Sequence, residues 1–321
     1  MQKISGECNV QENKVIVIAG PTASGKSAMA IDIALALNGV VVNADSMQVY
    51  KDMPIITAAP TAEDKAKVEH RGYEIFDPSF RGNVMDWLKI IVEEIRDIWK
   101  SGKIPVVVGG TGLYIEHLIK GANPIPDTPE TIRQKVQKVI DNEGIEVIYK
   151  KLKDVDPVMA KKLNPRDVSR VKRAYEVYLN TKEPMSSWQK KPLIQFLPEA
   201  QFFIIKICPD VEELDKLAFE RFDKMMELGA IEEVQALYKK KLKTDLPAMK
   251  ALGIPELMEY FTGKTNIYVA VQNAKLHTRQ YAKRQRTWFR NRLQADYVFP
   301  KCYKGRFPQE VMQLLKTIIN K

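Results

Sequence analysis

With 321 residues the chain can bury a full-size core, either as one large domain carrying an insertion or as two domains. It has no apolar run long enough to span a bilayer, its start MQKISGECNV lacks the apolar segment of a secretory signal, and Cys8, Cys208 and Cys302 with three histidines encode neither a disulfide framework nor a zinc site. A cytoplasmic protein with no membrane partner is expected, and its net charge of +10 is uneven: residues 1–120 carry 13 Lys+Arg against 15 Asp+Glu, a net of −2, whereas the other 201 carry 37 against 25, a net of +12.

The first predicted element is KVIVIAG, a short β-branched run that stops at a glycine. KSAMAIDIALALNG follows with the apolar recurrence of a helix ending at Asn38-Gly39. Between them Gly20-Pro21-Thr22-Ala23-Ser24-Gly25-Lys26-Ser27 spells G-x-x-x-x-G-K-S, a phosphate-binding loop. The backbone N–H groups of such a loop and the positive end of the following helix surround phosphate oxygens, a lysine neutralises them, and the Ser27 hydroxyl suits magnesium. The flanking strand and helix argue against an accidental match in a glycine turn. GVVVNADS reads as a second buried strand, with Asp45 just past its carboxyl end, where a side chain faces the crevice outside a parallel sheet. There Asp45 suits a metal ligand, a general base or a solvated loop aspartate, and position alone does not separate the three.

NVMDWLKIIVEEIRDIWKSGK is predicted to be a helix N-capped by Asn83, with Val84, Leu88, Ile91, Ile95 and Ile98 on one face. IPVVVGGTG is a third strand running into a glycine-rich turn at Gly109–Tyr114, and Thr111 offers a hydroxyl there. GANPIPDTPE, with three prolines in ten residues, marks a connection, and residues 131–181 have helical periodicity with little strand signal. Phe202–Ile207 restores a buried strand, and the tail from Val211 is almost all helical. Strands alternating with amphipathic helices predict an α/β fold: a P-loop-type parallel sheet covered by helices, formed by residues 1–121 and 199–321, with a small helical domain inserted at 122–198.

The basic excess lies wholly beyond residue 120. Such a surface concentrates polyanions, RNA or DNA among them, although excess lysine on solvated faces produces the same charge. TRQYAKRQRTWFRNR, residues 278–292, carries six Lys/Arg; as a helix it groups Arg279, Lys283, Arg286 and Arg290 in a stripe, with Tyr281 and Trp288 opposite. In the insertion Arg166, Arg170 and Arg173 repeat the theme. Arg221 reads either as a surface residue or as a second diphosphate clamp. His70, His117 and His277 form no ligand spacing.

Taken together, GPTASGKS, NADSMQVY, TAAP, HRGYEIFDP, GGTGLY, LPAMKALG and TRQYAKRQRTWFR, in this order and at these intervals, closely resemble the tRNA dimethylallyltransferases, also called tRNA isopentenyltransferases. The resemblance runs from about Val15 to Arg292. It implies transfer of a dimethylallyl group from dimethylallyl diphosphate to the exocyclic amine of the adenosine 3′ of the anticodon in tRNA, with magnesium and release of diphosphate. It implies that Gly20 to Ser27 cradle the diphosphate, with Thr22 near its bridging oxygen, and that Arg221 is directed at it. Asp45 then matches the general base. Ser46, Met47, Gln48, Thr111 and Arg133, with Ser169, Arg170, Val171, Lys172 and Arg173, match tRNA-contacting positions, to which the basic stripe of Arg279, Lys283 and Arg286 adds. A bacterial-type enzyme acting as a monomer is expected. Two departures from the family pattern stand out: G-T-A-K-P reads Ile56-Thr57-Ala58-Ala59-Pro60, and G-Y-x-E reads Gly253-Ile254-Pro255-Glu256. A P-loop small-molecule or nucleoside kinase and a non-catalytic RNA-binding protein are the competing readings.

Overall fold

The computed structural model describes residues 13–305 and 307–319, so Cys8 lies outside the described residues. The chain forms two compact units, one made of the residues up to Ile119 and from Phe196 onward, the other of Lys120–Gln195.

The first unit is built on six parallel strands, β1 (Lys14–Ala19), β2 (Gly39–Asn43), β3 (His70–Arg71), β4 (Ile104–Gly109), β5 (Gln201–Ile207) and β6 (Tyr297–Phe299). Their order across the sheet is β3-β2-β4-β1-β5-β6. β1 lies centrally, with Ile16 opposite Val106 of β4 on one side and Phe203 of β5 on the other. Its near-continuous apolar run is explained by burial on both faces: Val15, Val17 and Ala19 enter one hydrophobic cluster, Ile16 and Ile18 the other. The two edge strands β3 and β6 carry no sequence signal, because two or three residues are too few to show a period of two.

Helix Val84–Lys100 covers the first face with Trp87, Leu88, Ile91, Ile95 and Ile98. Asn83 caps it as the sequence predicts, accepting from the Met85 N–H at 2.8 Å, while Asp86 accepts from the Asn83 N–H at 3.1 Å. Helix Lys26–Ala36 covers the other face through Met29, Ala30, Ile33 and Ala34. The unit Lys120–Gln195 is helical and packs around Val136, Ile148, Leu152, Met159 and Val171. Its two ends meet in an antiparallel bridge, Ala122 and Ile194 exchanging backbone hydrogen bonds of 3.1 and 2.9 Å. Buried Asp156 joins two of its helix starts, accepting from the Met159 N–H at 3.0 Å and the Ser186 N–H at 2.9 Å.

Candidate active site

Three loops leave the carboxyl ends of the adjacent strands β1, β4 and β2, and parallel pairing brings those ends together: Ala19 lies opposite Gly109, and Asn43 opposite Val108. The loop after β1 is the G-x-x-x-x-G-K-S turn, which opens helix Lys26–Ala36. The loop after β2 carries Asp45, and buried Asn43 shapes it. Asn43 Oδ1 accepts from the Asp45 N–H at 2.8 Å, and its amide donates to the carbonyls of Asp45 at 3.1 Å and Gly72 at 3.0 Å. The Asn43 carbonyl is held in turn by the indole N–H of Trp87 at 3.0 Å, and this fully buried ring stacks on Tyr114. We expect Trp87→Phe to cost about 2 kcal/mol in urea unfolding, since it leaves that carbonyl unpaired and loses packing.

The loop after β4 is the glycine turn. A side chain at Gly109 would collide with the Ala44 backbone, one at Gly110 with the Gln285 amide, and one at Gly112 with the Trp288 ring. Thr111 closes the turn onto the Asp45 loop, its hydroxyl accepting from the Ser46 N–H at 2.9 Å and donating to Ser46 Oγ at 3.1 Å.

A cleft of about 290 Å³ opens beside the loops after β1 and β2, and Thr22, Asp45, Met47, Arg221, Tyr281 and Arg284 are among the residues that line it. Asp45 is half-buried, and its Oδ1 accepts from the Met47 N–H at 2.9 Å, which fixes the carboxylate plane. The Arg221 guanidinium donates to the Thr22 hydroxyl. Lys26 donates to the Pro21 carbonyl at 3.3 Å. Burial draws the Lys26 amine down to about 8, against the pull of Asp45 and with a contribution from Arg221; burial likewise lowers Arg221. Arg221 in the cleft wall and half-buried Lys26 at the start of the helix both feel the Asp45 charge, an arrangement of two cations and a carboxylate that suits a multiply charged anion next to a proton acceptor.

The remaining sequence-predicted residues lie as follows. Met47 lines the cleft, whereas Gln48 turns its amide onto the carbonyls of Thr57 at 2.9 Å and Ala58 at 2.8 Å, bracing the ITAAP segment. Ser169 and Arg170 are exposed. Val171 is a correction: its side chain is fully buried in the core of the helical unit and has no surface to offer RNA. Within that unit Arg133 pairs with Asp127 at 2.7 Å, Lys172 donates to Gln137 at 2.6 Å, and half-buried Arg173 donates to Thr128 at 2.6 Å. On helix Ile267–Arg292, Arg279 pairs with Asp215 at 2.6 Å, Arg286 donates to the Pro209 carbonyl at 2.9 Å, and Lys283 is exposed.

Both departures from the family pattern have structural settings. Ile56 is nearly buried, lines the cleft and packs against Gly253 and Phe222. Ile254 is fully buried, and Pro255 sits in the first turn of helix Ile254–Phe261, where no N–H is required. The carboxylates beneath these segments have local roles. Glu233 accepts from the N–H groups of Ile55 and Ile56, both at 2.8 Å, and Glu256 caps the Gly253 N–H at 2.9 Å while contacting His277.

Sequence reasoning did not assign Tyr281, Arg284, Lys250, Phe222, Met225 or Gln285 to the site, although the structure puts the first five in the cleft wall. Lys250 stands within LPAMKALG, and Tyr281, Arg284 and Gln285 within TRQYAKRQRTWFR, so the motifs flagged the segments without the roles. Burial and the Asp45 charge push the Tyr281 phenol up, so it is a neutral donor. Among the described residues no three His, Cys, Asp or Glu side chains gather around a potential ion. Ser27 is exposed at the start of helix Lys26–Ala36, where its hydroxyl could serve a hard divalent ion bound mainly through substrate phosphate oxygens.

Among the described residues no helix is long and apolar enough to cross a membrane. The IPP transferase family model matches residues 48–292. The tRNA dimethylallyltransferase of Rickettsia massiliae (strain Mtu5) is 39% identical over 308 residues, covering 96% of this chain and 85% of that protein. That of Bartonella henselae is 42% identical over 284 residues, covering 88% and 97%. The full-length tRNA isopentenylpyrophosphate transferase of Bacillus halodurans superposes with a TM-score of 0.67 at 31% identity, covering 96% of each chain. A eukaryotic dimethylallyltransferase solved acting on tRNA gives 0.70 at 34% identity, covering 86% of this chain and 69% of that one. A family match over most of the chain, relatives of this identity and the same parallel-sheet architecture together lead to one conclusion: the chain belongs to the IPP transferase family, among the tRNA dimethylallyltransferases.

Proposed function

We propose that the protein transfers the dimethylallyl group of dimethylallyl diphosphate to the exocyclic amine of the adenosine 3′ of the anticodon in tRNA. The observation that carries this reading is the fixed Asp45 carboxylate sharing one cleft with the Thr22–Arg221 pair. The amine nitrogen bonds to C1 of the dimethylallyl group as the bond from C1 to the diphosphate oxygen breaks. Asp45 accepts the amine proton through the oxygen not held by Met47, and the electron pair of the broken bond leaves with diphosphate. The P-loop N–H groups, Lys26, the Thr22 hydroxyl and Arg221 take up the developing negative charge. Magnesium, held at Ser27, supplies further charge neutralisation when bound. The adenosine reaches Asp45 only when unstacked, as base-modifying chemistry generally requires.

The protein acts as a cytoplasmic monomer on this reading, and its test is direct. Incubation with magnesium, labelled dimethylallyl diphosphate and unmodified tRNA, with no nucleotide triphosphate added, transfers label to tRNA. Strict dependence on ATP with a phosphorylated product would instead establish the kinase reading.

Two arginines of the helical unit separate by environment. The Arg170 side chain is 75% exposed and only 3.4 Å from Asp167, whereas Arg173 is half-buried on Thr128. Arg170→Ala should weaken tRNA binding and lower the salt slope by about one phosphate contact. Arg173→Ala should mainly destabilise the helical unit, by about 1–2 kcal/mol in thermal unfolding, because it leaves the buried Thr128 hydroxyl without the donor it accepts from.

A further inference from the structure

Gln285 is buried on the inner face of helix Ile267–Arg292, among the small residues Ala274, Thr278 and Ala282. Its amide hydrogen-bonds main chain from two distant parts of the sequence. Oε1 accepts from the Thr22 N–H at 2.8 Å, and Nε2 donates to the Gly110 carbonyl at 2.7 Å. Thr22 belongs to the loop after β1, and its hydroxyl is already held by Arg221. Gly110 belongs to the loop after β4 and lies beside Asp45: a side-chain carbon built there would lie 3.5 Å from Asp45 Oδ2, the oxygen not held by Met47. The one side-chain amide therefore spans the loop that carries Thr22 and the loop that abuts the base. Glycine at 110 is required because Gln285 occupies the space a Cβ would fill.

A carboxamide matches this task through its paired functions. The two main-chain groups are of opposite kind, an N–H and a C=O, and an amide supplies one acceptor and one donor on a single plane. Leucine has neither, and asparagine is one methylene too short to keep both bonds. A carboxylate can accept from Thr22 but meets the Gly110 carbonyl with like partial charge, whereas a protonated carboxylic acid restores both bonds.

We propose that Gln285 is a positioning residue for prenyl transfer, setting the separation between Thr22 at the diphosphate side and the Gly110–Asp45 side of the cleft. It thereby ties the basic helix to the donor loop. This rests on the function proposed above, and the assay distinguishes the two: wild-type protein that transfers no label removes the function, whereas active wild type with unaffected variants removes only the role of Gln285.

The experiment compares wild type, Gln285→Leu and Gln285→Glu in steady-state prenyl transfer across pH 6–9, with thermal unfolding as the check on folding. Gln285→Leu should raise KM for dimethylallyl diphosphate about tenfold or lower kcat by a similar factor, at every pH, with KM for tRNA within twofold of wild type. Gln285→Glu should be as impaired as leucine at pH 9 and recover at least fivefold relative to leucine by pH 6, as the buried carboxyl protonates. That recovery is a signature that a merely structural role would not produce. Parallel pH profiles of the two variants, or a folded Gln285→Leu protein with unchanged constants for the donor and unchanged kcat, would overturn the assignment. If the leucine variant does not fold, the pH profile of the glutamate variant against wild type decides: a constant ratio between pH 6 and 9 refutes the proposal.

Discussion

Asp45→Asn should slow single-turnover prenyl transfer by about 10²- to 10⁴-fold, the usual worth of a positioned general base. The substitution keeps the Oδ1 that accepts from the Met47 N–H, so the loop is preserved and the loss is chemical. Asp45→Ala removes that bond as well and should be at least as slow. Neither variant should lose more than a few-fold in tRNA affinity, because the cationic surface that attracts the polyanion is untouched. Rapid-quench transfer with saturating donor measures the rate, and filter binding measures the affinity. Transfer at the wild-type rate by either variant would leave the reaction class standing and remove Asp45 from its role.

Lys26→Met should raise KM for dimethylallyl diphosphate about 10- to 100-fold at pH 7, through loss of one charge-assisted contact. The environment of Lys26 adds a pH signature. Burial lowers its amine from 10.5 to about 8, so the free enzyme loses this charge just above neutrality. The wild-type KM for the donor should rise above pH 8, by up to tenfold per unit, until it meets the value of the methionine variant, which has no such dependence. The stability linkage has the opposite sign. A lysine whose pKa is depressed on folding destabilises the native state while it is forced to remain charged, below about pH 8, and that penalty is relieved as pH rises towards 10.5. Its contribution to stability therefore rises between those values, so Lys26 titration should weaken donor binding without weakening the fold. A wild-type KM that stays flat from pH 7 to 9 would show that Lys26 does not carry the donor charge.

Much of the architecture was legible in the chain. KVIVIAG, GVVVNADS and IPVVVGGTG are strands because uninterrupted β-branched runs suit burial on both faces, and Asn83 starts its helix because its side chain satisfies orphan N–H groups within three residues. The edge strands were too short to see, and the inward position of Val171 was masked by the basic residues around it. The glycine turn reads in the sequence as a tight strand-to-helix corner. Its folded reason is wider, because Gly110 and Gly112 make room for Gln285 and Trp288 of a helix some 175 residues later.

The sequence by itself determined what depends on neighbours along the chain: the strand–loop–helix of GPTASGKS, Asp45 beyond a strand end, and the alternation that predicts a helix-covered parallel sheet. Side-chain period, capping and turn chemistry act over a few residues, so they survive in a linear reading. Only the tertiary structure decided that the loops after β1, β2 and β4 converge, that Arg221 reaches Thr22, that Gln285 bridges Thr22 and Gly110, and that Lys26 is drawn down to about 8. Those properties depend on strand order and on desolvation, both set when segments hundreds of residues apart close over one another and exclude water.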